Sequence, residues 1–391
     1  MNILITGVDG YVGWPTALRL SRRYPESRIL GVDNYGRRRW VEECGAVSAI
    51  PIVSMDERLR AAKEHGFKNI EFKEGDLVNR DWVLKVVEDF RPDVILHLAA
   101  QPSAPYSELN GARANYTQEN NCQATRNLLW ALKEKNLLEC LFVETTTTGI
   151  YGAPEFEIPE GFIPIEYKGK RDVLPFPGMA GSWYHMSKVY DAANLWLANK
   201  QWKLTVADIR TSIVFGVETE ETALDPRLAT RFDFDFDFGV VANRFCVMAL
   251  VGSPITVYGK GHQKKPQISL VDAVESLVNA VKLPRDHKVT VYNQTAELFA
   301  IADLASAIQK AADKLGFKAD IQFIPNPRVE KEEHDMHMEN QNFLKLLNKK
   351  PEKLEANIAS IMQKLYGVRE TIQKYRHTFL RESKPVAGAK K

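Results

Sequence analysis

The chain has 391 residues, of which 45% are hydrophobic and 26% are charged, so it can bury a large core. Its formal net charge of +2 at pH 7 is almost balanced, which argues against nucleic acid or an anionic membrane as the main partner. No apolar run is long enough for membrane insertion, and a strand is predicted at the very start, so we expect a cytoplasmic protein or a processed mature form.

Three glycines follow the first apolar run at regular intervals. Residues 1–6 predict a strand, Gly7, Gly10 and Gly13 predict a turn, and residues 14–24 predict an amphipathic helix. This order is typical of a dinucleotide-binding turn, in which glycines let backbone N–H groups approach a pyrophosphate at the helix N-terminus. The residues expected to contact the dinucleotide are Gly7, Asp9, Gly10, Tyr11, Val12 and Gly13.

The second predicted strand, residues 28–32, ends in an acid. Asp33 lies about twenty residues beyond the glycines, where a carboxylate accepts both ribose hydroxyls and repels a 2′-phosphate, so NAD is favoured over NADP. Arg37, Arg38 and Arg39 indicate the opposite, because arginines at this corner can hold that phosphate. We give Asp33 the greater weight and leave the arginines to stack on adenine, to bind phosphates or to form a solvated loop. The NAD ligands expected here are Asp33, Asn34, Arg37 and Arg38.

Apolar and amphipathic segments continue to alternate along the chain. Strands predicted near residues 70–72, 94–100, 141–145 and 204–210 are separated by helices predicted over 82–90, 115–135 and 184–200. This alternation predicts an α/β fold with a doubly wound parallel (Rossmann) sheet that binds ligands at the C-terminal ends of its strands. Further cofactor contacts are expected there from Asp76, Leu77, Leu98, Ala99, Ala100 and Asn120.

The character of the sequence changes beyond residue 215, where loops rich in Pro, Asp and aromatic residues separate short strands and helices. We expect an NAD-binding domain that carries the catalytic residues over 1–215, a smaller C-terminal α/β substrate-binding lobe interleaved with returning sheet elements over 216–378, and a disordered tail over 379–391. Phe and Asp alternate over 232–238, which favours Phe facing apolar surface and Asp facing water, so no metal site is assigned.

A phenol and an ammonium lie one helical turn apart at Tyr184 and Lys188, and His185 lies beside the phenol. Residues four apart share a helix face, so Lys188 can lower the pKa of Tyr184 and make it a proton acceptor near neutral pH. Such a pair is suited to the oxidation of an alcohol.

Several of these features together resemble the extended short-chain dehydrogenases/reductases that act on nucleotide sugars. They are residues 6–13, Asp33, Leu98-Ala-Ala, Thr147 ahead of Tyr151-Gly152, and Tyr184 with Lys188. Longer strings resemble the UDP-sulfoquinovose synthase family from residue 1 to about 335, among them Gln101-Pro-Ser-Ala-Pro-Tyr-Ser107, Trp183-Tyr-His-Met-Ser-Lys188, Thr256-Val-Tyr-Gly-Lys-Gly261 and Pro325-Asn-Pro-Arg-Val-Glu330.

The resemblance implies a reaction of UDP-glucose with sulfite. NAD+ would take the C4 hydride, water would leave across C5 and C6, sulfite would add at C6, and the hydride would return to C4. In this reaction Tyr184 would remove the C4 hydroxyl proton, and Lys188 would lower its pKa and hold the nicotinamide ribose. Thr147 would orient the same hydroxyl or merely cap the strand end. His185 would act as acid or base near C6, or else pack or bind substrate.

The resemblance also implies a set of substrate ligands, with departures from the family pattern. The implied ligands are Gln101, Ser103, Thr147, Tyr184, Arg244, Tyr258, Gln263, Lys265 and Arg328. Lys265 stands where relatives usually place an Arg for the diphosphate, and Arg244 and Arg328 would compensate. Sugar 4,6-dehydratases carry an Asp-Glu pair after the catalytic Thr, but this chain has Thr148-Gly149, which argues against a plain dehydratase and leaves the elimination without an obvious carboxylate.

Two alternatives stay open at this point. A UDP-sugar 4-epimerase would use the same Tyr184, Lys188 and NAD, and a non-catalytic dinucleotide-sensing regulator would keep the fold without turnover. In either case a homodimer formed through the predicted helices 115–135 and 184–200 is expected, as is common in this superfamily.

Overall fold

The computed structural model describes residues 1–176, 178–325 and 336–380 of the chain. Its first half contains, in order, β1 (Asn2–Thr6), α1 (Gly13–Arg23), β2 (Arg28–Asp33), α2 (Gly36–Glu43), α3 (Met55–Glu64), β3 (Ile70–Glu74), α4 (Arg80–Phe90), β4 (Val94–His97), α5 (Ala104–Ser107), α6 (Gly111–Glu134), β5 (Leu141–Thr147), a 3₁₀ turn (Thr148–Tyr151), β6 (Phe162–Tyr167), β7 (Lys170–Pro175) and α7 (Trp183–Trp202). The second half contains β8 (Val206–Thr211), β9 (Ile213–Phe215), α8 (Val241–Leu250), β10 (Ile255–Tyr258), β11 (Lys264–Ser269), α9 (Leu270–Ala280), β12 (Val289–Gln294), β13 (Glu297–Ala300), α10 (Ile301–Lys314), β14 (Ile321–Ile324), α11 (Gln341–Leu347), α12 (Leu354–Tyr366) and α13 (Arg369–Lys374).

Among the described residues, seven parallel strands form the main sheet in the order β12-β8-β5-β4-β1-β2-β3. Its inner strands are largely buried because helices cover both faces; β4, for example, is buried at every position, whereas the edge strand β3 is mostly exposed. One face packs against α1, α3, α9 and α11, and the other packs against α4, α6 and α7. The predicted doubly wound α/β fold is confirmed. Strand β1 lies between β4 and β2, and it places the glycine turn at the C-terminal edge where the strand order reverses.

A smaller α/β region follows the first six strands of the main sheet. The parallel pair β10 and β14 packs with α8, α10 and α12 around a second apolar core. The short strands β9, β11 and β13 form a three-stranded sheet beside it, and β6 and β7 form an antiparallel hairpin. Between β11 and β13 the chain returns once to the main sheet through β12, which pairs with β8. Among the residues that the structure describes, no helix combines the length and apolar character needed to span a bilayer.

The alternating segment 232–238 is buried more fully than expected. Asp233, Asp235 and Asp237 are all buried, so the expectation that these carboxylates face water is wrong. Asp233 binds the guanidinium groups of Arg37 and Arg231, and Asp235 accepts backbone N–H groups of its own turn. Buried cations and N–H donors therefore take the place of water around these two carboxylates.

The C-terminal end of the described chain packs on the smaller region. Two helices, α12 and α13, follow one another here with Gly367 and Val368 between them. Phe379 is buried and Leu380 packs against the same core, so the predicted tail does not begin at residue 379. Residues 381–391 lie outside the described residues.

Candidate active site

A cavity of about 630 Å³ lies between the C-terminal edge of the main sheet and the smaller region. The sheet contributes residues that follow β1, β2, β3, β4 and β5, and the smaller region contributes residues of α8, β10 and β11. A volume of this size lies in the usual range for small-molecule and cofactor sites. Of the residues expected to bind cofactor, those that line the cavity are Gly7, Gly10, Tyr11, Val12, Gly13, Asp33, Asn34, Arg37, Asp76, Leu77, Leu98, Ala99, Ala100, Asn120, Tyr184 and Lys188.

The glycine turn is packed too tightly for side chains. Gly7 has φ +75°, and a β-carbon there would lie 2.8 Å from the backbone nitrogen of Ala99. A β-carbon on Gly13 would lie closer than 3.0 Å to the carbonyl oxygen of Gly7. The N-terminus of α1 is therefore held against the end of β1, and residues 10–13 of this turn line the cavity. That geometry fits a pyrophosphate.

Asp33 presents a buried carboxylate at the end of β2. Its oxygens accept N–H groups from Asp9 at 2.8 Å and from Tyr35 at 2.7 Å. Burial and the nearby charge of Asp9 raise the pKa of Asp33 to about 6, against the smaller opposing effect of these N–H donors. The carboxylate is ionised at neutral pH and can accept ribose hydroxyls.

The arginines that follow Asp33 are already paired with acids. Arg37 donates two hydrogen bonds to Asp233, at 2.8 and 2.7 Å, and Arg38 donates two to Asp9, at 2.7 and 2.6 Å. Arg37 lines the cavity, but the described lining includes neither Asp9 nor Arg38. Asp9 and Arg38 therefore stabilise the turn by pairing with each other. Beyond the arginines noted in the sequence, the structure gives no reason to expect a 2′-phosphate here.

Tyr184 and Thr147 meet where α7 begins beside the end of β5. Thr147 lines the cavity with Tyr184 and contributes to lowering the pKa of the phenol, and its hydroxyl accepts the N–H of Gly149 at 3.1 Å, so it both caps the strand end and acts on the phenol. Burial raises the pKa of Tyr184, and Lys188 lowers it without overcoming burial. Lys188 therefore lowers the pKa of Tyr184 as predicted, but this effect alone does not bring that pKa into the neutral range.

Lys188 lies between two buried carboxylates that the sequence reasoning missed. Its Nζ lies 3.1 Å from Glu144 Oε1 and 3.2 Å from Asp191 Oδ2, and all three side chains are at most 2% exposed. Burial disfavours the ammonium, but the two carboxylates outweigh it and raise the pKa of Lys188, while burial raises the pKa of Glu144 despite Lys188. Two sequence signals could have identified these acids: Glu144 is the one charged residue in the buried strand β5, and Asp191 lies three residues after Lys188.

His185 is held over the loop that follows β5. Its Nδ1 lies 2.9 Å from Ser182 Oγ, and the same hydroxyl accepts the backbone N–H of His185 as the N-cap of α7. Burial and, to a smaller extent, the charge of Lys265 lower the pKa of His185 to about 4. The imidazole is therefore neutral at neutral pH, and its ring lines the cavity next to Tyr184.

The residues expected to bind substrate fall into three groups. Those that line the cavity are Ser103, Thr147, Tyr184, Arg244, Tyr258, Gln263 and Lys265. Gln101 does not line it, because its side chain is fully buried and bonds to Thr117 Oγ1 at 2.8 Å and to the backbone of Ser103. It shapes the loop that carries Ser103. Arg328 lies outside the described residues. Within the described part of the chain, no cluster of three or more His, Cys, Asp or Glu side chains could hold a metal ion.

Comparison with known families agrees with this geometry. The family described as NAD dependent epimerase/dehydratase matches residues 3–294, and the chain belongs to it. A UDP-glucose 4-epimerase from Bifidobacterium longum, solved in complex with NAD+ and UDP, shares the fold with a TM-score of 0.68 at 18% identity, over 97% of this chain and 100% of that chain.

Two closer relatives narrow the class. The chain is 37% identical to a UDP-sulfoquinovose synthase of Sulfolobus acidocaldarius over 98% of this chain and 97% of the relative. It is 41% identical to the chloroplastic UDP-sulfoquinovose synthase of Spinacia oleracea over 85% of this chain and 69% of the relative. The resemblance predicted from the sequence is thus confirmed over most of the chain.

Proposed function

We propose that this chain is a UDP-sulfoquinovose synthase that converts UDP-glucose and sulfite to UDP-sulfoquinovose with NAD as its cofactor. The observation that carries the proposal is that the alcohol-oxidising pair, Tyr184 and Lys188, lines a single cavity together with a neutral imidazole, His185. Oxidation at C4 and chemistry at C5 and C6 of one sugar need these two kinds of group next to each other.

The sheet half of the cavity fits NAD. Asp33 can accept the ribose hydroxyls, and the N-terminus of α1 can receive the pyrophosphate between Gly10 and Gly13. Small residues after β4, Ala99 and Ala100, leave space for the cofactor to pass. When bound, NAD accepts the hydride of C4 in the first step and returns it in the last.

Tyr184 handles the proton of the C4 hydroxyl. Its phenolate accepts this proton when C4 is oxidised and gives it back when C4 is reduced, so no proton is lost over the cycle. Thr147 orients the hydroxyl, and Lys188 favours the phenolate by its charge. Because burial opposes ionisation of Tyr184, further positive charge near the phenol is required for full activity, and oxidised nicotinamide is such a charge.

His185 handles the proton of C5. A ketone at C4 acidifies the C5 proton, and the neutral imidazole removes it and passes it to the C6 hydroxyl, which leaves as water. Sulfite, entering as its singly protonated form, then forms its C–S bond at C6, and its proton is transferred through the imidazole to C5. Lys265, whose charge acts on His185, lies where it can attract both sulfite and the diphosphate of UDP, together with Arg244.

We also propose that the enzyme works as a homodimer in the cytoplasm. Trp130 on α6 and Leu197 on α7 are about half exposed, 50% and 51%, on two helices that pack against each other. Large apolar side chains on such a face favour burial against a second copy of the chain. Light scattering on the purified protein measures the assembly directly.

The test is sulfite-dependent turnover. Pure protein incubated with UDP-glucose and sulfite should form UDP-sulfoquinovose, detected by mass spectrometry of the nucleotide sugars. Tyr184→Phe should lower the first oxidation by about 10²–10⁴-fold, because it removes the group that accepts the C4 proton. Formation of UDP-galactose without any sulfonated product would assign the chain to the epimerases. Stabilisation by NAD without conversion of any UDP-sugar would assign it to the sensors.

A further inference from the structure

Gly149 lies directly beneath the imidazole of His185. A β-carbon at position 149 would come within 3.0 Å of Cγ, Cδ2 and Nε2 of that ring, closer than real β-carbons approach other atoms. The backbone of Gly149 itself is ordinary, since its φ lies outside the positive range in which glycine is favoured. Glycine is therefore required because the imidazole occupies the position of a β-carbon, and not because of the backbone conformation.

The same residue also supports the redox pair through its backbone. The N–H of Gly149 donates to Thr147 Oγ1 at 3.1 Å, and Thr147 contributes to lowering the pKa of Tyr184. Gly149 thus contacts Thr147, on the side of C4 oxidation, through its N–H group, and it contacts His185, on the side of C5 and C6, through its α-carbon. A side chain at 149 would leave the first contact intact and disturb only the second.

We propose that Gly149 is a positioning residue that sets the fate of the 4-keto sugar by making room for His185. In this chain the imidazole fills the space that an acidic side chain at position 149 would need. An imidazole carried by α7 therefore lies here in place of a loop carboxylate. The proposal rests on the proposed function.

The exchange of a carboxylate for an imidazole suits an anionic nucleophile. A carboxylate beside C6 would repel sulfite, whereas a neutral ring next to the positive charge of Lys265 does not. The glycine therefore does two things for sulfonation: it admits the proton-transfer group, and it keeps a negative charge away from the carbon that sulfite attacks.

The experiment separates the two halves of the chemistry in one variant. Gly149→Ala should form reduced cofactor from UDP-glucose within about threefold of the unaltered protein, while uptake of deuterium from solvent at C5 and formation of UDP-sulfoquinovose fall by about 100-fold or more. Gly181→Ala is the matched control, because Gly181 lies four residues before His185, is exposed, and has open space at its β-carbon position. It should leave all three rates unchanged.

A second variant tests whether the loss of activity in Gly149→Ala arises from overlap with the imidazole of His185. In a His185→Ala background the substitution Gly149→Ala should cause no further loss, because the overlap no longer exists. The same background guards against a variant that fails only by misfolding. Normal deuterium uptake by Gly149→Ala, or equal losses in cofactor reduction and deuterium uptake, would overturn the inference. Absence of the sulfonated product from the unaltered protein would instead overturn the proposed function.

Discussion

Replacement of Lys188 by Met should destabilise the protein strongly, apart from any effect on catalysis. Lys188, Glu144 and Asp191 are all but fully buried, and the ammonium lies 3.1 and 3.2 Å from the two carboxylates. Removal of the one cation leaves two carboxylates in a site without water. Breaking a buried ion pair in this way costs about 3–5 kcal/mol of unfolding free energy, so we expect a loss of that size at pH 8.

The loss should depend on pH in a definite direction. Burial already raises the pKa of Glu144 above its ordinary value, and removal of Lys188 takes away the main influence that opposes this. A carboxyl whose pKa is higher in the folded than in the unfolded protein favours folding below its unfolded pKa, and this contribution is lost as the pH rises through the folded value. The deficit of Lys188→Met should therefore be largest at pH 8 and shrink as the pH falls towards the ordinary range of glutamate.

The assay is equilibrium unfolding in guanidinium chloride, with the protein freed of nucleotide so that loss of NAD binding does not contribute. The triple variant Glu144→Gln, Lys188→Met, Asp191→Asn should recover most of the lost stability, because no unpaired charge remains. A Lys188→Met protein within about 1 kcal/mol of the parent at pH 8 would refute the reasoning, since exposed pairs show losses of that size. A deficit that does not change with pH would refute the assignment of the cost to Glu144.

Two further predictions concern the acids around the cofactor turn. Because NAD needs the ionised form of Asp33, whose pKa is about 6, its affinity should fall by about tenfold per pH unit below that value; Asp33→Asn should bind weakly at every pH, and calorimetric titration measures both. An equally steep fall in Asp33→Asn would show that another group is responsible. Asp233→Ala should lower the unfolding free energy by about 3–5 kcal/mol, because Arg37 and Arg231 lose their buried carboxylate. Arg171→Ala, which breaks the exposed pair with Glu166, should leave the midpoint unchanged, and equal losses in both variants would contradict the role of burial.

The sequence alone identified the elements whose signals are local. The spacing of Gly7, Gly10 and Gly13 after an apolar run, and the apolar runs of β4 and β5, each report a structure formed within a few neighbouring residues. The order of these elements then leaves few topologies for a parallel sheet, so the doubly wound fold followed directly. The position of Asp33 at the end of β2 was predictable for the same reason.

Contacts between distant segments were not predictable in this way. Asp233 meets Arg37 across almost 200 residues of chain, and its alternation with Phe suggested a solvent-facing carboxylate because the sequence does not show which cations fold against it. Gln101 carried a family-like signature but turns inward, because its amide bonds to Thr117. The short helices at the end of the described chain likewise depend on packing against the smaller region.

The same distinction between local signals and contacts of distant segments applies to the active site. The sequence by itself predicted that Tyr184 and Lys188 carry the alcohol chemistry, because they share one helix and their relation follows from helical geometry. Only the tertiary structure decided their surroundings: Glu144 arrives from β5 to hold Lys188, and the loop after β5 places Gly149 beneath His185. Burial, charge pairing and free space are properties of segments brought together by folding, and for that reason the structure reveals them and the sequence does not.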